Sequence, residues 1–387
     1  MNLSASYRWV ISVTLVMAAA MGIGRFAYTP LLPQMVAEFG WGFTAAGDVA
    51  SANFIGYMVG AMLAPRLAAS PQVRLWVAFS LMASVVTTYL GAEIQGYAGW
   101  LVVRFASGVA SAFCLVVLTT NLIYALAHER SERLGNVHFA GVGIGILLCM
   151  AAVFRVGAVA DQWARLGALS AVLMAVAWLL LANQEFRSSS QHAASSSAGT
   201  GSHAGLWRLI TGYGFFGFGY VVAATFVVAM AQAIEAPGFD PRSVWLIVGL
   251  AFVPSVYFWQ WVANRIGLAA TLRTTYVLEG VGVLLAGASS SVAGLVVASV
   301  LLGGTFGAIT ALGISAARAA APHRVAFAVS AMTVAFALGQ LLGPAVAGRM
   351  ADVLGDFFWA SVIAATLLAA AAVLVVNPTA VETKPVS

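Results

Sequence analysis

Residues 9–33 read WVISVTLVMAAAMGIGRFAYTPLLP, and Arg25 is the one charged residue among them. Roughly 20 apolar residues as helix cross a bilayer core of about 30 Å, so this stretch is long enough to span a membrane. A guanidinium cannot shed its proton, and one near the middle of a span costs at least ~2.5 kcal/mol. Its surroundings must therefore supply a carboxylate, backbone carbonyls, water or an anionic ligand. Arg25 lies roughly 24 Å of helix rise beyond Trp9, past the midplane. It is the first candidate for function.

Outward from this stretch the pattern repeats. With the first run centred on Val16, apolar runs centred on Gly56, Ser84, Gly108, Leu147, Leu173, Gly219, Val253, Gly280, Gly304, Leu338 and Leu367 make twelve. Of the 387 residues 61% are hydrophobic and 8% charged, against about 25% charged in ordinary soluble domains, which defines an integral membrane protein. The runs are continuous rather than alternating, so they predict helices and exclude an outer-membrane barrel. Ala18-Ala19-Ala20 is similar to a secretory cleavage site. The apolar run continues through Arg25 to a break expected at Pro30 and Pro33, and the segment is read as a retained span.

Charge placement orients the chain. With a cytoplasmic N-terminus, the inner segments hold Arg8, Arg66, Arg74, Arg130, Arg133, Arg187, Arg208, Arg265, Arg273, Arg318, Arg324 and Lys384, and the outer ones only Arg155, Arg165, Arg242 and Arg349. That asymmetry puts both termini in the cytoplasm and accounts for the net charge of +5 without nucleic acid. Cys114 and Cys149 fall inside spans with no metal-ligand spacing and read as small apolar residues.

Between Asn183 and Leu206 the sequence turns rich in Ser, Ala, Gly and His, a flexible linker between residues 1–182 and 207–387. The two parts echo each other. Gly22-Ile23-Gly24 precedes Gly217-Phe218-Gly219 by 195 positions, and Gly141 and Gly145 precede Gly339 and Gly343 by 198. Parallel repeats of six spans predict a transporter with its site between the halves at mid-membrane.

Twelve spans in two halves around a central cytoplasmic loop resemble the major facilitator superfamily. Arg104-Phe105-Ala106-Ser107-Gly108 followed by Ala112 is similar to its span-four motif, with Ser107 where Gln is common. GIGRFAYTPLLPQM, residues 22–35, resembles the signature of a bacterial subfamily, the YbfB/YjiJ-type transporters. The resemblance implies a secondary transporter of the bacterial inner membrane that functions as a monomer. Two motifs depart from the superfamily pattern. After Gly60 the expected Asp is Ala64, with Asn264 in the corresponding place of the second half, and Gly145 is followed by Ile146 where an antiporter motif has Pro.

Several residues besides Arg25 are candidates for binding. Tyr28, three positions on, shares its face if the helix is continuous; Asn53 and Tyr57 in span two fall near the same depth; Arg104 lies close to the outer end of span four. Tyr213, Phe216 and Tyr220 form one aromatic face of span seven, suited to a planar or apolar part of a substrate, and Gln340 is the polar candidate of span eleven. For proton coupling the candidates are Asp48, nearer an interface, and Glu279, the carboxyl near the middle of a span. The superfamily resemblance makes span nine, which carries Glu279, a peripheral helix, so a neutral packed or snorkelling side chain is the competing expectation.

The sequence therefore predicts an all-α integral membrane protein of twelve transmembrane helices in two pseudo-symmetric six-helix bundles. It moves a small organic solute, anionic or carboxylate-bearing because Arg25 has no evident acidic partner at its depth. Its partners are that solute and the bilayer, with no cofactor or metal. A multidrug exporter is the alternative, and a non-transporting sensor stands further off. An intramembrane enzyme has neither GxSG nor HExxH, and no Walker motif GxxxxGK[ST] points to ATP hydrolysis.

Overall fold

The computed structural model describes residues 5–128, 134, 136–155, 157–186, 203–321 and 324–375, and every regular element among them is helical. Residues 187–202 of the expected linker lie outside the described residues, as do Arg130, Arg133, Arg187, His323 and Lys384. The first stretch comprises α1 (Ala5–Val16), a π-helical segment (Met17–Ile23) and α2 (Tyr28–Phe39), with turn geometry between the last two. There follow α3 (Phe43–Ala68), α4 (Val73–Tyr89), α5 (Tyr97–His128), α6 (Ala140–Val153) and α7 (Val159–Leu181). Beyond the undescribed segment come α8 (His203–Gln232), α9 (Ser243–Ile266), α10 (Leu268–Ala288), α11 (Val292–Ala320), α12 (Val325–Leu354) and α13 (Phe358–Leu374).

Among the described residues nine helical stretches are long and apolar enough to cross a bilayer, counting Ala5–Phe39 as one. Three of the twelve expected runs fall outside that set. Val137–Val153 and Phe358–Leu374 are apolar but short. The third, α3, is 26 residues long but is diluted by Asp48, Ser51, Asn53 and Tyr57. Large apolar side chains point outward around the molecule, with Phe79 65%, Val102 67% and Leu179 73% exposed, a surface suited to hydrocarbon.

Small residues let the helices pack backbone to backbone. A Cβ on Gly22 would come within 2.5 Å of Gly145 Cα, and one on Gly339 within 3.0 Å of Gly217 C. The 195- and 198-residue echoes therefore mark equivalent crossings, the π-helical segment on α6 and α8 on α12.

Two faces of the molecule differ. Where α3 and α9 begin and α6, α8 and α12 end, the chain parts before and after the undescribed segment are tied together. Asp48 pairs with Arg349 at 2.8 Å, and Asp352 accepts hydrogen bonds from the Phe43 and Thr44 amides, both 2.8 Å, at the start of α3. Arg242 donates to Val153 O at 2.9 Å. Deeper in, Ser51 donates to Leu341 O at 2.8 Å and Thr29 to Ala224 O at 2.6 Å. On the opposite face, where α1 and α8 begin, a cleft of about 320 Å³ opens between the ends of α5 and α11, lined by Thr119, Leu126, His138, Ile314, Ser315 and Arg318.

Candidate functional site

The expected break at Pro30 and Pro33 falls earlier. Five-residue backbone steps, Gly24 N to Ala19 O at 2.8 Å and Phe26 N to Met21 O at 3.1 Å, widen the helix ahead of the turn, and α2 then runs through Pro33. Pro30 sits in the first turn of α2, where a missing N–H leaves no helical bond unmade. The turn directs carbonyls out of the helix in a buried region, and Arg104 meets them. Its Nη1 donates to Gly24 O at 2.8 Å and its Nη2 to Arg25 O at 3.0 Å, with the Ser107 hydroxyl also directed to Gly24 O at 3.4 Å.

Arg104 therefore ties α5 to the broken helix, and two expected binding residues join it. The turn at residues 24–27 removes the helical register between Arg25 and Tyr28. Tyr28 instead lies under the Arg104 guanidinium, 5.1 Å from ring centre, and donates its hydroxyl to Ala46 O at 2.8 Å. Asn53 donates its amide to Arg104 O at 2.9 Å.

Arg25 is as buried as Arg104, each 4% exposed, and is held differently. Its guanidinium lies 4.5 Å from the ring centre of Phe54 and 4.7 Å from that of Tyr57, while its Nε and Nη2 are buried without a hydrogen-bond partner. The ring faces hold the cation in place and leave in-plane N–H groups for an acceptor. Phe54 was missed by the sequence reading, although its i, i+3 spacing from Tyr57 was a signal for it.

Across from Arg25, α8 presents the predicted aromatic face as part of a larger cluster. Tyr220 lies nearly parallel to Phe336 (5.7 Å, 1°) and Phe306 (5.4 Å, 14°), and Phe216 stacks on Tyr220 at 5.0 Å. Tyr213 packs on Phe336 at 5.0 Å and donates to Thr310 O at 3.4 Å. Phe26, next to Arg25, reaches Phe306 at 5.9 Å and Trp245 at 6.0 Å. Gln340 donates from Nε2 to the Tyr220 hydroxyl, and its Oε1 is buried and unpartnered. Phe26, Phe306 and Phe336 had no periodic signal in sequence, since each comes from a different helix or turn.

The two proton-coupling candidates separate. Asp48 lies on the tied face, its carboxylate taken by Arg349 and, at 3.3 Å, by the Tyr97 hydroxyl. Glu279 is wholly buried and does not snorkel; its Oε2 meets the Thr305 hydroxyl of α11, and its Oε1 has no partner. Tyr220 lies within electrostatic reach of Arg25, Tyr57 and Glu279. Arg25, Tyr57, Gln340 and Glu279 are thus related through Tyr220, while Tyr28 and Asn53 are grouped with Arg104.

A helical membrane fold with a broken helix, a buried unpaired cation and a cleft on one face is the architecture of a membrane transporter. Over residues 17–376 the chain matches the family described as uncharacterised MFS-type transporter YbfB, and it belongs to that family. It is thus a multi-pass membrane transporter and not an enzyme. No curated protein matches it. Its fold is similar to crystal structures of the nucleoside transporter NupG. A point mutant has a TM-score of 0.72 at 14% identity, with 96% of this chain and 100% of that one covered. A second NupG structure has a TM-score of 0.69 at 14% identity, covering 99% and 100%.

Proposed function

We propose that the protein is a secondary active transporter for a small organic solute bearing a carboxylate, and that Arg25 binds that group. The observation carrying this reading is the buried guanidinium whose Nε and Nη2 lack partners although no carboxylate forms an ion pair with it among the described residues. A carboxylate in the guanidinium plane satisfies both N–H groups and offsets the charge. Two bundles of six spans, residues 1–182 and 207–387 about a linker at 183–206, rock about this centre, with both termini in the cytoplasm. The cleft then opens to the cytoplasm and the tied face is the closed outer gate. The reading is of a monomer in a bacterial inner membrane.

A thermal-stability screen of the purified protein against lactate, benzoate, phenylacetate, sugars, nucleosides and drugs tests it. A bound solute raises the melting temperature by mass action. Carboxylates should do so in the wild type and not in Arg25→Ala; a rise that survives the substitution removes Arg25 from the site. The continuous aromatic cluster favours a second reading, a multidrug exporter. Reduced accumulation of cationic dyes in expressing cells, undisturbed by Arg25→Ala, would select it.

A further inference from the structure

Glu279 places a second ionisable group on the other side of the Arg25 centre. Its carboxyl meets the Thr305 hydroxyl, and that same hydroxyl lies 2.7 Å from Leu301 O. A hydroxyl has one hydrogen to donate. With that hydrogen on Leu301 O, as in other helical Thr side chains, the carboxyl itself supplies the hydrogen between Glu279 and Thr305. The arrangement fits a protonated Glu279.

Among the described residues no cation is arrayed to hold the ionised form. Of the helices packed on α10, α8 brings Tyr220 within electrostatic reach, together with Tyr213 further along and Arg208 near its start. From α11 comes Thr305, its one charge, Arg318, lining the cleft. No titratable residue occurs on α13; on α9, Tyr257 is 46% exposed and Arg265 lies at the end over Trp261. On α10 itself Tyr276 packs on Phe216, and Arg273 donates to Val375 O. Tyr220 joins the two groups, lying within electrostatic reach of both Arg25 and Glu279.

We propose that Glu279 is a proton-binding site and that the protein carries its carboxylate substrate together with that proton, one for one. The proposal rests on Arg25 as the anion site. With Glu279 protonated, the empty centre holds the positive charge of Arg25, and one bound carboxylate brings it to neutrality. With Glu279 ionised, the empty centre is already neutral, and a bound carboxylate leaves an excess negative charge. Unpaired buried charge is strongly disfavoured, so the neutral forms, fully loaded and fully empty, are the ones that cross between the two open states. Loading takes a proton from water at the open face onto Glu279, and unloading returns it to water at the other.

Benzoate affinity of the purified protein, measured by calorimetry across a pH series, tests the coupling. Affinity should fall about tenfold per pH unit once the empty centre holds an ionised Glu279, and Glu279→Gln should abolish that slope. A slope absent from the wild type, or kept in Glu279→Gln, overturns the proposal while leaving Arg25 as the anion site. Failure of benzoate, lactate and phenylacetate all to bind overturns the anion reading and the coupling with it. Infrared difference spectra need no ligand. They should show a protonated-carboxyl C=O band, shifted in deuterium oxide, that Glu279→Gln removes. Its absence from the wild type overturns the proton site, and this holds even if the variant fails to fold.

Discussion

The first membrane stretch and α8 occupy equivalent places in the repeat, and they solve the same packing problem differently. Both cross a partner helix through glycine, Gly22 on Gly145 and Gly217 beside Gly339. The first then breaks at residues 24–27, freeing carbonyls that need donors, whereas α8 runs for 30 residues without interruption. The break brings in Arg104 for the backbone and holds Arg25 over two rings. At the position of Arg25, 195 residues on, α8 has Tyr220, whose ring stacks and whose hydroxyl accepts from Gln340. Shared scaffold with unlike chemistry makes one side of the centre positive and the other aromatic.

Paired substitutions of the two arginines sharpen this contrast most. Arg104→Ala strips the donors from Gly24 O and Arg25 O in a buried turn and should cost about 3 kcal/mol of stability, read by denaturant unfolding in detergent. Arg25→Met removes a buried cation without a hydrogen-bonding partner and should leave stability equal or raised while abolishing carboxylate binding. Equal losses in the two variants would mean that Arg25, too, is a structural tie. The glycine crossings come next. Gly22→Ala meets Gly145 backbone at 2.5 Å, which no rotamer relieves, and should cost about 2 kcal/mol in the same assay.

A smaller effect concerns the start of α9. Arg242 holds the Asp240 carboxyl below its ordinary range through a 2.7 Å ion pair, and both groups are partly exposed. A depressed carboxyl contributes above its unfolded pKa and loses that contribution as pH falls through the folded one. Solvent screening keeps the contribution small. The melting temperature should therefore decline slightly less below about pH 4 in Asp240→Asn than in the wild type. Identical acid profiles would show that the pair adds nothing to holding Arg242 on Val153 O.

Much of the centre is legible in the amino-acid sequence. Arg25 and Glu279 stood out because charge in an apolar run is rare; Tyr213, Phe216 and Tyr220 did so because helical periodicity places them on one face. Tyr28 was misplaced because periodicity assumes an unbroken helix, and the break lies ahead of the prolines that suggested one. Arg104 could not be assigned from sequence, since its partners are main-chain carbonyls that bear no residue identity. Asp48 with Arg349 and Asp352 with the start of α3 are separated by some three hundred residues, a distance over which spacing carries no information.

By itself the sequence determined the membrane-spanning helical class, the internal repeat and the rarity of charge, because hydrocarbon admits few alternatives to apolar helix and makes every exception visible. Which exceptions are paired was decided only by the tertiary structure. Two arginines of equal burial differ because one meets a broken backbone and the other only the faces of rings, and those are contacts between helices. The same holds for Glu279, whose neighbour Thr305 is supplied by α11.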